Sequence, residues 1–298
     1  MNELCQTNII SPVVLDSQSG VTVPTFNMAV EAHVVVTENM IVKDAIKKKR
    51  TNNLLFWSGV HWRAILGEVV STALLMLLGC MACIPIEGPL RPLYSSIGFG
   101  LIVLFNVQTF GHISGAHMNP CVTLAAVIWG KMSVLLGVAY VAAQCVGAFV
   151  GYGALVALSP NDFLGRGICV TQPHLSYTPL QALGIEALLT AALIFITCSI
   201  WDPVNEPHTE AVSLKFGLTV IGLSLAGGPL TGASMNPARS LGPAMWTNTW
   251  NVQWLYWAGP LLGATFAAVF YKQIWLKLKV QELGSHEMWC SVRIFFEL

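Results

Sequence analysis

Gly115-Ala116-His117-Met118-Asn119-Pro120-Cys121-Val122-Thr123-Leu124 returns 117 residues later as Gly232-Ala233-Ser234-Met235-Asn236-Pro237-Ala238-Arg239-Ser240-Leu241. Each copy reads as a helix start. Asparagine is a favoured N-cap, and proline suits the first helical position, whose N–H has no intrahelical partner in any case. Both copies lie between long apolar segments, so both helix starts fall at membrane depth. Two half-helices, one from each half of the sequence, predict a single pore lined by two opposed positive dipole ends.

Outward from these boxes, six stretches are long and apolar enough to span a bilayer, which takes about 20 residues each. They lie near 62–84, 93–111, 133–157, 179–200, 212–228 and 253–275. The Asn-Pro segments near 119–129 and 236–246 are too short to cross. They read as re-entrant half-helices, which are tolerated at that depth only when buried in protein or lining a wet cavity. Composition agrees: the chain is 54% apolar and 10% charged, with mean hydropathy +0.64, whereas soluble domains run near 25% charged.

The repeat extends beyond the boxes. Gly67-Glu68-Val69-Val70-Ser71-Thr72-Ala73-Leu74 resembles Ile185-Glu186-Ala187-Leu188-Leu189-Thr190-Ala191-Ala192, and Phe99-Gly100-Leu101 resembles Phe216-Gly217-Leu218. Three spans per half is an odd number, so the halves insert in opposite orientation and the boxes meet near the midplane. The fold class expected is an all-α membrane protein, with six transmembrane helices and two re-entrant half-helices in an inverted repeat. Lys43, Lys47, Lys48, Lys49, Arg50, Arg63, Lys131, Lys272, Lys277 and Lys279 fall on one side, against Arg91 and Arg166 on the other. That asymmetry predicts cytosolic termini and a multi-pass protein of the cell membrane. The domain reading is a poorly ordered cytosolic extension at 1–54, a channel-like domain at 55–276 with repeats about 60–158 and 178–275, and a cytosolic tail at 277–298.

Other chemistries find little support. A formal net charge of zero gives no basic surface for nucleic acid. The eight cysteines lack secreted-type spacing and mostly lie in apolar runs, which argues against a disulfide framework. Cys80-Met81-Ala82-Cys83 has metal-type spacing but no second pair, so neither a metal site nor a cofactor is expected. No zinc-protease signature, nucleophile elbow or phosphate loop points to an enzyme. Glu68 and Glu186 are carboxylates in the bilayer that need partners, and the N–H groups of the re-entrant loops are the natural ones. The alternative is that they titrate in a proton-coupled transporter. His112 and His117 flank the first box as loop supports, and His117 is also a candidate wall of the cytosolic half-pore.

The boxes, Gly111-His112-Ile113-Ser114 before the first, Ala143-Gln144-Cys145-Val146-Gly147-Ala148 and Trp257-Ala258-Gly259-Pro260 resemble the major intrinsic protein family from about residue 55 to 276. The resemblance implies a homotetramer with one passive pore per chain, for small neutral solutes. Asn119, Pro120, Cys121, Asn236, Pro237 and Ala238 fall at its midplane, the two asparagines capping the half-helices and offering amide N–H groups to the pore. Arg239, with Phe99, Ser224 and Ala233, maps onto the family's narrow selectivity ring. Ser224 stands where water-selective members have histidine, and Ala233 is small, so the ring is expected to pass glycerol and urea as well as water. In this it resembles the insect glycerol-transporting channels. Ser240, Ala244 and Tyr256-Trp257 are instead typical of the water branch and favour a strictly water-selective channel. Cys121 replaces the usual alanine, either as a tolerated change or as a mercurial-sensitive position.

Overall fold

The computed structural model describes residues 61–85, 92–208 and 210–276, all of which fall in one unit, Phe56–Leu298. The expected extension at 1–54 with its basic run, Arg91, and the tail at 277–298 lie outside the described residues. Among the described residues the chain is helical, with no strand. The first half comprises α1 (His61–Met81), α2 (Pro92–Ser114), α3 (Pro120–Trp129) and α4 (Val134–Leu158). The second comprises α5 (Pro179–Trp201), α6 (Val212–Thr231), α7 (Pro237–Thr247) and α8 (Leu255–Phe270). Helices α1, α2, α4, α5 and α6 are each long and apolar enough to cross a membrane. Helix α8 has 16 α-helical residues and continues for six more, Tyr271–Leu276, in π geometry. The two pieces together measure roughly 33 Å, enough for a hydrocarbon core of about 30 Å. The short helices α3 and α7 are the expected half-helices.

Packing repeats between the halves. Helix α1 lies along α4 as α5 lies along α8, α3 packs on α8 as α7 packs on α4, and α2 crosses α6. Glycines set the closest approaches. A Cβ on Gly147 would sit 2.5 Å from the Val69 carbonyl oxygen, and one on Gly151 would collide with the Ala73 carbonyl. Across the other pair, Gly259 and Gly263 meet the Leu183 and Ala187 carbonyls in the same way. Between α2 and α6, Gly100 and Gly217 face each other's carbonyl oxygens, so the crossing point falls on one pair of repeat-related residues. In a bilayer, where lipid is as apolar as leucine, such small-residue contacts replace hydrophobic burial as the force between helices. Large apolar side chains such as Val134, Leu180, Leu188 and Phe266 are exposed on the outside, as a lipid-facing surface requires.

Two features depart from the sequence reading. The spans expected to end at 111 and 228 run on to Ser114 and Thr231, where the final hydroxyls bond the buried glutamates. Cys80 and Cys169 form a disulfide across a sequence separation of 89 residues, against the expectation of none. Local spacing could not reveal it, because the α4–α5 connection folds back over the end of α1 and brings together cysteines from two different elements.

Candidate functional site

Each box begins with backbone that most residues avoid. Gly115, Ala116 and Met118 have φ of 85°, 48° and 50°, and their counterparts Gly232, Ala233 and Met235 have 85°, 44° and 51°. Left-handed backbone costs a non-glycine residue roughly 1 kcal/mol or more. The buried carboxylates offset that cost. Glu68 accepts from the Ser114 hydroxyl (2.7 Å), the His117 N–H (2.9 Å), the Met118 N–H (2.8 Å) and the Gln144 amide (2.8 Å). Glu186 accepts from the Thr231 hydroxyl (2.6 Å), the Ser234 N–H (2.9 Å) and the Met235 N–H (2.8 Å). Tyr140 and Tyr256 fasten the same loops by donating to the Ser114 and Thr231 carbonyls.

Asn119 and Asn236 follow with extended backbone and accept, through their side-chain oxygens, from the first N–H groups of α3 and α7. Their amides cross between the boxes. Asn119 Nδ2 donates to the Met235 carbonyl at 2.8 Å, and Asn236 Nδ2 donates to the Met118 carbonyl at 2.7 Å. One N–H of each amide therefore locks box to box, and the second remains for the cavity both residues line. Pro120 and Pro237 occupy the first helical positions, as the sequence predicted.

That cavity, of about 1220 Å³, is walled by residues along most of α2, from Ser95 to His112, and of α6, from Val212 to Pro229. Phe99, Ser224, Ala233 and Arg239 all lie on its wall. The Arg239 guanidinium sits 4.8 Å from the Phe99 ring centre, and its Nη1 donates to the Cys169 carbonyl at 2.7 Å. His117 is also on the wall, with Nδ1 3.1 Å from the Thr123 hydroxyl and its ring edge-on to Tyr140. His112 is in the last turn of α2, exposed on the cavity wall. Cys121 and Ala238 lie behind the wall. Cys121 is fully buried in a cluster with Ala191, Ile194 and Ala264, and Ala238 in one with Met118 and Ala148.

The sequence reading missed Gln144 as a bridge between Glu68 and Thr123, and Cys169 as the acceptor for Arg239. Ser114 and Thr231 were findable, since both are hydroxyl residues five positions before the box asparagine. Cys169 carried no signal, because its contribution is a backbone carbonyl.

The chain matches the major intrinsic protein family over residues 56–271. It is 38% identical over 239 residues to aquaporin-4 of Mus musculus, covering 77% of this chain and 74% of that protein. It is also 38% identical over 216 residues to the lens fiber major intrinsic protein of Gallus gallus, covering 72% and 82%. Among solved structures, it resembles the aquaglyceroporin from Plasmodium falciparum with a TM-score of 0.66 and 25% identity, covering 73% of this chain and 98% of that one. Repeat, boxes, cavity and family match converge: the chain belongs to the major intrinsic protein family and is a multi-pass membrane channel for small solutes, not an enzyme.

Proposed function

We propose that this channel conducts water together with small uncharged solutes such as glycerol and urea, and excludes protons and ions. The observation that carries the reading is the set of side chains around Arg239. Ser224 and Ala233 share the cavity wall with Phe99 and Arg239, so a hydroxymethyl and a methyl group stand where bulk would narrow the passage. Phe99 offers an apolar face to a carbon backbone, while Arg239 and Ser224 bond hydroxyls. Proton exclusion rests on the half-helix N-termini, whose dipoles oppose cations, and on the two asparagine amides, which fix a central water as acceptor.

The residues typical of water-selective relatives lie off the wall. Ser240 is buried, with its hydroxyl accepting from Thr171 at 2.7 Å. Ala244 and Tyr256 are buried as well. They record lineage without setting pore width. The second reading, strict water selectivity, is favoured by the likeness to aquaporin-4; the likeness to an aquaglyceroporin favours the first. We group the chain functionally with the insect glycerol-transporting channels, as a homotetramer of the cell membrane with both termini cytosolic.

Stopped-flow light scattering on proteoliposomes, with separate water, glycerol and urea gradients, tests the solute range. Fast water with fast glycerol supports the wide ring, and fast water alone supports the second reading. Ser224→His should cut glycerol flux by about tenfold, a barrier of ~1.4 kcal/mol, while sparing water. Unchanged glycerol flux in that variant sinks the role given to Ser224.

A further inference from the structure

Arg239 is only as well placed as the carbonyl that holds it. That carbonyl belongs to Cys169, in the connection between α4 and α5, on backbone that is left-handed at both Gly167 (φ 60°) and Cys169 (φ 68°). Non-glycine residues avoid this region, so the turn persists only where its surroundings impose it. The Cys169 sulfur is bonded to Cys80, a fully buried residue in the last turn of α1. The same turn also backs the other side of the ring. Gly79 is so close to Phe99 that a Cβ there would lie 2.7 Å from the aromatic ring. Phe99 is the ring over which the Arg239 guanidinium sits. One turn of α1 thus holds Phe99 by contact and Arg239 through a covalent tether.

We propose that the Cys80–Cys169 disulfide is a positioning element of the selectivity ring, fixing the Cys169 carbonyl that orients Arg239 and thereby setting discrimination among polyols. This deepens the solute reading above and rests on it. The connection has other anchors. Tyr152 donates to the Ile168 carbonyl at 2.7 Å, and Thr171 bonds Ser240. Opening the disulfide therefore leaves the connection docked and frees the Cys169 turn. By the charge asymmetry of the loops, the bond faces the exterior, where disulfides persist.

The test uses the full chain in proteoliposomes, with water, glycerol and erythritol fluxes measured before and after dithiothreitol. The dithiol supplies two electrons and two protons; the S–S bond opens to two thiols, and the reagent closes to its cyclic disulfide. Maleimide labelling after denaturation confirms the reduction by two new thiols. Glycerol-over-erythritol discrimination is expected to fall by about threefold, within the range of couplings between contacting groups, and to return on reoxidation. Full reduction with unchanged discrimination overturns the proposal. The Cys80→Ala/Cys169→Ala channel should match the reduced form and ignore dithiothreitol; a remaining response to the reagent overturns it as well. In Arg239→Ala, reduction should move nothing, because the positioned group is gone, and an equal shift there assigns the disulfide a merely structural role. If glycerol does not cross even the oxidised channel, the solute reading fails by itself. The tether is then read from water permeability, which must change on reduction and must not change in Arg239→Ala.

Discussion

Glu68 and Glu186 show how much one residue can organise. Each is fully buried and holds a re-entrant loop by its N–H groups. The Glu68 oxygens face the backbone N–H groups of His117 and Met118, which can only donate, and the Nε2 of Gln144, which donates to it as well. Removing such an acceptor leaves buried donors unpaired at about 1–3 kcal/mol each. Glu186→Ala should therefore lower the thermal denaturation midpoint of the detergent-solubilised channel and reduce its water flux. Thr265→Ala, at an exposed helix position whose hydroxyl bonds only its own helix, should do neither. The cysteines separate by location in the same way. Cys83 is a free thiol on the cavity wall that Arg239 also lines, whereas Cys121, in the first turn of α3, is sealed in the core behind that wall. Mercurial inhibition of water flux is expected to persist in Cys121→Ser and to disappear in Cys83→Ser.

At the scale of elements, the half-helices are short pieces closed at both ends. Each has an asparagine and a proline at its start, and α3 ends on Gly130 with φ 79° while α7 ends on Asn248 with φ 54°. Lys272 reaches from the end of α8 to the Ile128 carbonyl at 2.6 Å, placing a cation at the negative end of the α3 dipole. The long helices depend on close crossing instead. Gly263→Leu should abolish accumulation of folded channel, because the side chain meets the α5 backbone, which cannot yield. Gly184→Ala, with nothing within 4 Å of the added Cβ, should fold normally and gain about 1 kcal/mol in helix propensity. Size-exclusion profiles of the two variants distinguish these outcomes. The boxes and the half-helix starts were legible because capping is local. The crossing glycines were present in the sequence but could not be assigned partners, since α2, α4 and α6 each carry three or more glycines and residue type does not say which one meets a neighbour.

For the whole molecule, the two halves meet through a pair of asparagine amides that donate to each other's loops. Glu68 and Glu186 do not line the cavity, and each is held by fixed donors of its re-entrant loop, so neither carboxylate is set up to carry a proton across. Solute uptake into proteoliposomes should therefore stop at equal concentrations inside and out, and imposing a pH gradient should not move that end point; accumulation above the external level contradicts a passive pore.

By itself, the sequence determined the membrane setting, the inverted repeat and the half-helices, because these follow from hydropathy, capping chemistry and a fixed 117-residue offset. Phe99, Ser224, Ala233 and Arg239 were singled out by resemblance to the family, through their offsets from the boxes. The tertiary structure alone decided that each box amide is tied to the opposite loop, that Cys121 faces the core, and that Cys80 finds Cys169. Those outcomes depend on how distant segments approach in space and on which backbone carbonyls they present, and neither is written in residue type.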